Sequence, residues 1–332
     1  MLKLDANEST VPPSPVVEER LRAFVAAGGT AWYPDPDAAA VRRRVAAYAS
    51  RPLPEVLVFN GSDMALECVV RALTVPGDRV CICSPCYDRF RVFAETHGAM
   101  TVPVYSDDPF TPSVSCLLEV VDATTRLLYV SNPNNPTGRM YTAPDLEQLL
   151  TALPHGVLVV DEAYYEFAGE TAAPLLEGFD NLVITRSLSK AFGLAGLRSG
   201  YTLSGPSVAT RLRRIWNGRE MNALAQVATI AALDDVAYAQ RYVAEVCAAR
   251  TWLTDALRDL GYEARSTPGN FILLRVDDPH ALVADLRSRD IYIRDRSDLP
   301  QLEGYLRITV GTRAQCEQVL SAIQDAMAVK TF

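Results

Sequence analysis

Histidine is scarce in this chain. Only His97, His155 and His280 occur, and none stands at a metal-ligand spacing such as H-E-x-x-H, so no metal is expected in the chemistry. Basic residues do not exceed acidic ones: 32 Lys and Arg face 40 Asp and Glu, a net charge of −8. The basic face that a nucleic-acid partner requires is therefore missing. No run reaches the ~18 apolar residues of a spanning helix, and Met1 to Thr10 carries Asp5 and Glu8 where an export leader has an apolar stretch. Neither a membrane nor export is expected. The seven cysteines are odd in number, which with no leader predicts reduced thiols in a cytoplasmic protein, although Cys83-x-x-Cys86 has the spacing of a redox pair. No strand-like run is followed by Gly-x-Gly-x-x-Gly, so the dinucleotide fingerprint is absent too.

What is present is an ordinary globular composition, 49% hydrophobic and 22% charged over 332 residues. That length suits two domains of roughly 150 residues each, with a small molecule as partner. Short apolar runs at Val56 to Phe59, Arg79 to Cys83, Met100 to Val104, Leu127 to Ser131, Val157 to Val160, Leu182 to Thr185 and Tyr201 to Leu203 read as strands. Several are apolar throughout, as strands covered on both faces are. Helical spacing between them, at Met64 to Leu73, Tyr87 to His97, Pro144 to Ala152 and Ala209 to Trp216, predicts a largely parallel α/β sheet. Beyond residue 225 the pattern changes. A single long helix is expected over Gln226 to Leu260, then strands at Phe271 to Val276, Ile291 to Arg294 and Tyr305 to Val310, with helices Pro279 to Arg289 and Thr312 to Met327.

Five segments carry candidate chemistry. Ser187-Leu188-Ser189-Lys190 leads through Gly193 and Gly196 to Arg198. A lysine that forms imines must be a free amine, so it needs surroundings that lower its pKa; Ser187, Ser189 and Arg198 are donors suited to an anion. The same residues would also suit a solvated loop. Asp161 ends the apolar run Val157 to Val160, and α/β proteins place functional groups beyond the carboxyl ends of strands. It could hold a protonated ring nitrogen, with Tyr164 reaching the same ring's phenolic oxygen, or it could cap a turn. Ser131-Asn132-Pro133-Asn134-Asn135-Pro136-Thr137-Gly138 is a fixed turn that could present the Asn135 amide; Asn135-Pro136 and Ser84-Pro85 are expected to be cis. Gly61-Ser62-Asp63 precedes a helix, aiming free N–H groups at an anion. Tyr87, after Pro85, could lie against a flat ring.

In order and spacing these segments resemble the fold-type I pyridoxal-phosphate aminotransferases of class I/II. Leu4-Asp5-Ala6-Asn7-Glu8, Tyr33-Pro34-Asp35, Arg294-Asp295-Arg296 and Leu306-Arg307-Ile308-Thr309-Val310-Gly311-Thr312 narrow the resemblance to the histidinol-phosphate aminotransferase family, over nearly the whole chain. The resemblance implies an α/β fold with a mostly parallel mixed sheet flanked by helices, plus a smaller α+β domain. Residues 28–225 would form the large cofactor domain, and 1–27 with 226–332 the small one. It implies pyridoxal 5'-phosphate on Lys190, with Asp161 at the ring nitrogen, Asn135 and Tyr164 at the phenolic oxygen, and Tyr87 stacked on the ring. Lys190, Asp161 and Tyr164 would be the catalytic set. Ser62, Asp63, Ser187, Ser189 and Arg198 would grip the phosphate. Arg307 would bind the amino donor's carboxylate and Arg294 a substrate phosphate, with Asn7 also on the substrate side. A tyrosine matching Tyr33 reaches the neighbouring subunit's cofactor in the family, which implies a homodimer.

The implied reaction moves an amino group between glutamate and a 2-oxo acid or phosphorylated ketone. Decarboxylation of an amino-acid phosphate on the same scaffold, or a non-catalytic ligand-binding relative, are the rival readings. Two departures bear on the acceptor. Ser9-Thr10-Val11-Pro12 stands where the family has an Asn-Pro-aromatic-Gly stretch, and Gly218-Arg219-Glu220 stands where it has Pro-aromatic-Asn.

Overall fold

The computed structural model describes residues 1–328. Its centre is a seven-stranded sheet in the order Val56–Phe59, Gly200–Ser204, Leu182–Ser187, Val157–Asp161, Thr125–Ser131, Arg79–Ser84, Met100–Tyr105. All pairings are parallel except those of Gly200–Ser204, which runs against both neighbours. Every residue of Val157–Asp161 and Leu182–Ser187 is buried, which explains their unbroken apolar runs: helices cover both faces, so no residue needs to meet water. Apolar side chains pack on each face of the sheet as two separate clusters.

Local signals set the helix bounds. Ala143–Thr151 begins with Pro in its first turn and a capping box, in which Thr142 and Asp145 each satisfy the other's backbone N–H. Ser62–Leu73 has no such cap: Gly61 precedes it at φ +95° and no side chain accepts from its first N–H groups.

A second, antiparallel sheet runs Arg294–Asp295, Tyr305–Thr309, Phe271–Arg275, Glu263–Ser266. A third pairing is parallel, Leu2–Lys3 with Ile291–Tyr292. The expected strand Ile291 to Arg294 is thus two strands in two sheets, because Ile293 turns inward as a buried core residue and separates the two pairings. The expected single helix Gln226 to Leu260 is also two, Ala223–Asp234 and Val236–Asp259. Asp235 leaves helical geometry at φ −127° and ψ 53°, and Ser14 Oγ donates to its carboxylate at 2.6 Å. The sequence reading passed over helices Pro15–Ala26 and Ala39–Ala49 and strand Glu263–Ser266. In Pro15–Ala26 only Val17 is buried, so no apolar stripe marks it.

Among the described residues no helix is long and apolar enough to cross a membrane. All seven cysteines are free thiols. Cys83 is buried with its Sγ 2.8 Å from Arg139 Nη2 and 3.2 Å from the Tyr141 hydroxyl, and burial pushes its thiol up. Ser84-Pro85 and Asn135-Pro136 are cis, and so is Asn132-Pro133.

Candidate active site

Three neighbouring parallel strands end on polar residues, Ser131, Asp161 and Ser187, and all three line one cavity of about 310 Å³. Its position is the crevice outside strand carboxyl ends where open α/β sheets bind ligands. Ser62, Asp63, Tyr87, Asn135, Tyr164, Ser189, Lys190, Arg198, Arg294 and Arg307 open onto the same cavity. Of the residues singled out from the sequence, only Asn7 and Tyr33 do not. Asn7 is buried just behind the wall, donating from Nδ2 to the Tyr164 hydroxyl at 3.0 Å. Tyr33 is 88% exposed and lies beneath the Arg219 guanidinium, 5.8 Å from its ring centroid.

Lys190 follows the strand Leu182–Ser187 and turns back over the cavity floor. Its Nζ donates to the carbonyl of Ala6 at 3.0 Å and lies 6.0 Å from the Tyr164 ring centroid. Burial, and then the charge of Arg307, lower its pKa to about 8. At neutral pH a useful fraction of the side chain is the free amine, the form that attacks carbonyls. Asp161 sits at the other end, 4% exposed. Its two oxygens accept separately, Oδ2 from the Tyr129 hydroxyl and Oδ1 from Thr185 Oγ1, each at 3.0 Å. Burial raises its pKa to about 6, against the pull of those two donors. A carboxyl held this rigidly in a dry site is poised to pair with a cation.

Between them lies an anion cradle. Ser62 and Asp63, at a helix start with no side-chain cap, line the cavity, and free N–H groups at such a start favour negative charge. Arg198 reaches the same corner, its Nη2 3.0 Å from Asp63 Oδ2, while Asp63 Oδ1 accepts from the Tyr87 hydroxyl at 3.0 Å. Arg198 adopts φ +57°, a conformation disfavoured for a side-chain-bearing residue. Close approach depends on two glycines. A Cβ on Gly61 would stand 2.9 Å from Arg198 Nη2, and one on Gly200 would stand 2.4 Å from the Ser62 nitrogen.

The opposite wall comes from the antiparallel sheet and the first residues of the chain. Arg307, 3% exposed, donates to Asn135 Oδ1 at 2.6 Å and to the Asp5 carbonyl at 2.5 Å. Arg294 stands across from it in register, with its Nη2 3.8 Å from Asp5 Oδ2. Asn7 ties this wall to the large sheet: its carboxamide contacts both Tyr164 and Thr309.

Sequence reasoning missed Glu8, Arg296 and the Ala6 carbonyl, all at the cavity, and the buried Tyr129 behind Asp161. Tyr129 carried a readable signal. It stands among the buried aliphatics Leu127, Leu128 and Val130 of its strand, and a buried Tyr needs a polar partner.

A buried amine of lowered pKa, a rigid carboxyl suited to a ring nitrogen and an uncapped helix start beside an arginine together fit pyridoxal 5'-phosphate. Similarity to known proteins agrees. Residues 1–323 match the family model for aminotransferase class I and II. A dihydroxyacetone phosphate transaminase of Campylobacter jejuni is 36% identical over 331 residues, 98% of this chain and 90% of that protein. A histidinol-phosphate aminotransferase of Thiobacillus denitrificans is 36% identical over 330 residues, covering 98% of this chain and 91% of its own length. Among solved structures, histidinol-phosphate aminotransferase from Sinorhizobium meliloti, in complex with pyridoxal-5'-phosphate, superposes with a TM-score of 0.90 at 29% identity, covering 99% of this chain and 91% of that one.

Proposed function

Because the chain belongs to the class I and II aminotransferase family, we propose that it holds pyridoxal 5'-phosphate on Lys190 and moves an amino group between glutamate and a 2-oxo acid or phosphorylated ketone. The observation that carries this reading is the pairing, across one cavity, of an amine lowered to about 8 with a carboxyl fixed by Tyr129 and Thr185. The phosphorylated ketone gains support from the Campylobacter jejuni relative, whose name specifies such a substrate.

The cofactor would supply an electron sink for the bond broken at the substrate's α-carbon. The chain supplies everything else. Ser62 and Asp63 through backbone N–H groups, with Ser187, Ser189 and Arg198, would hold the phosphate. Asp161 would hold a proton at the ring nitrogen, Asn135 and Tyr164 would hydrogen-bond the phenolic oxygen, and Tyr87 would lie on the ring. Lys190 would carry the proton from the substrate's α-carbon. Arg307 takes the donor's carboxylate as a two-pronged contact, while Arg294 and Asn7 complete the substrate side.

The test follows the amine. Only neutral Lys190 reacts, so the rate at which added pyridoxal phosphate develops its visible absorbance rises with pH and levels off near pH 8. A rate still climbing through pH 10 would mean an unperturbed lysine and would overturn the site. Glutamate then bleaches that absorbance with release of 2-oxoglutarate; release of carbon dioxide instead identifies a decarboxylase.

We also propose a homodimer in which the exposed Tyr33 reaches the partner subunit's cofactor phosphate. Sedimentation at micromolar concentration gives twice the chain mass, and Tyr33→Phe weakens cofactor retention. A monomeric mass together with full activity rules this arrangement out.

A further inference from the structure

The main cavity does not end at Tyr87. An adjoining alcove of about 300 Å³, bordered by Arg89, Pro136 and Leu299, shares Tyr87, Asn135 and Arg296 with it. Those three residues form the doorway between the two spaces.

Strand geometry puts Arg296 there. Arg294 pairs with Arg307, and the Arg296 N–H continues the ladder by donating to the Tyr305 carbonyl at 3.0 Å. Alternation along the strand gives Arg294 and Arg296 the cavity face. Asp295 turns away, its Oδ1 accepting from Ser297 Oγ at 2.6 Å and its Oδ2 2.9 Å from His280 Nδ1.

The three guanidinium groups on this face differ in what they already hold. Arg307 is engaged by Asn135 and the Asp5 carbonyl, and Arg294 lies against Asp5. Among the described residues Arg296 enters no ion pair, and its Nε, like that of Arg307, is buried with no hydrogen-bond partner; unlike Arg307, it has no side-chain hydrogen bond through its other nitrogens either. Such a donor is costly until something accepts from it. Asp298 and Asp295 act on it through space but form no ion pair with it, and Asp88, on the alcove lining, is gripped by Arg91 through two contacts of 2.7 and 3.0 Å. Arg89, exposed at the alcove's rim, forms no ion pair among the described residues either. Two guanidiniums outside any ion pair around one space suit a doubly charged group, and their planar forks match phosphate.

We propose that Arg296 is the specificity-determining residue for the acceptor, receiving its distal phosphate monoester in this alcove while Arg307 keeps the donor carboxylate. The inference rests on the aminotransferase reading and sharpens it, shifting the phosphate from Arg294, which Asp5 already partly neutralises, to its neighbour two residues on.

The test uses the pyridoxal phosphate-loaded protein with glutamate as donor and two acceptors, dihydroxyacetone phosphate and dihydroxyacetone. Arg296→Gln raises KM for the phosphorylated acceptor tenfold or more and that for the plain one less than threefold, with the visible absorbance and melting temperature retained. Arg296→Lys recovers part of the loss. Inorganic phosphate, which competes with the phosphorylated acceptor, weakens by a similar factor in Arg296→Gln. Equal shifts for both acceptors would show a general positioning role and overturn the inference, as would a larger loss in Arg294→Gln than in Arg296→Gln. Transfer to 2-oxo acids with none to the phosphorylated ketone overturns it while leaving the aminotransferase reading intact. Absence of the visible absorbance overturns the aminotransferase reading, and calorimetric titration of inorganic phosphate into the same preparation still separates wild type from Arg296→Gln.

Discussion

Replacing Lys190 with alanine is expected to abolish the visible absorbance of the cofactor-loaded protein and to lower amino transfer by on the order of 10⁴-fold, the upper range for loss of a positioned proton carrier. Two functions disappear together. Covalent capture is lost because no other amine lines the cavity, and the proton at the substrate's α-carbon loses its carrier. Pyridoxal phosphate still binds, since Arg198 and the N–H groups of Ser62 and Asp63 remain. Lys190→Arg is expected to fail equally, because a guanidinium keeps the charge but stays protonated. Stability separates this outcome from misfolding. The Lys190 pKa is lowered on folding, so the unfolded chain binds the extra proton between about pH 8 and 10.5, and stability contributed by this group rises with pH through that window. At pH 7 the lysine is a burden to the fold, and the alanine variant melts no lower than wild type. A variant that retains the absorbance and turns over would sink the assignment.

The second large effect is expected at Asp161. Asp161→Asn keeps the shape and one acceptor oxygen, with its amide N–H donating to the other hydroxyl of the Tyr129 and Thr185 pair, but removes the negative charge. Leaving a buried cation without its partner costs about 3–5 kcal/mol, which corresponds to a rate loss of roughly 10²- to 10⁴-fold at 1.36 kcal/mol per decade. The loss falls on kcat, with cofactor absorbance present and KM for glutamate little changed. Folding supplies the control again. The Asp161 pKa is raised to about 6 by burial, so the folded chain holds the extra proton between about pH 4 and 6, and this group's contribution to stability is lost as pH rises through 6. Removing the charge therefore does not destabilise the protein at pH 7. Unchanged kcat in Asp161→Asn would remove the carboxylate from the chemistry.

Much of this site was legible because it sits where chain-local patterns end. Asp161 closes a run of buried aliphatics, Lys190 lies between small hydroxyl residues, and the helix after Gly61 starts without a cap; each is visible within a few residues. What escaped depends on segments distant in sequence. Asp235 breaks the long helix where the carboxylate meets Ser14, more than two hundred positions earlier. Ile291 and Arg294 part company because one strand finds Leu2 and Lys3 and the other finds Tyr305–Thr309. Arg296 was in view from the outset, in the run Arg294-Asp295-Arg296, but its lack of a partner is a property of the packed structure. Tyr33 shows the converse: its motif was plain, yet within a single chain its ring stands exposed against Arg219 at the surface.

The opening residues of the chain have a consequence in time. Leu2–Lys3 pairs with Ile291–Tyr292, and the Asp5 carbonyl accepts from Arg307 across 302 positions. At a synthesis rate of roughly 5–20 residues per second, those opening residues wait about 15–60 s for their partners to be made. During that interval the strands Val56–Phe59 through Gly200–Ser204 have all been synthesised, so the cofactor's crevice has its floor before it has its far wall. The same segment that touches Lys190 through Ala6 therefore cannot be locked in place until after residue 307 is made, and the Lys190 amine acquires its final surroundings among the last events of assembly.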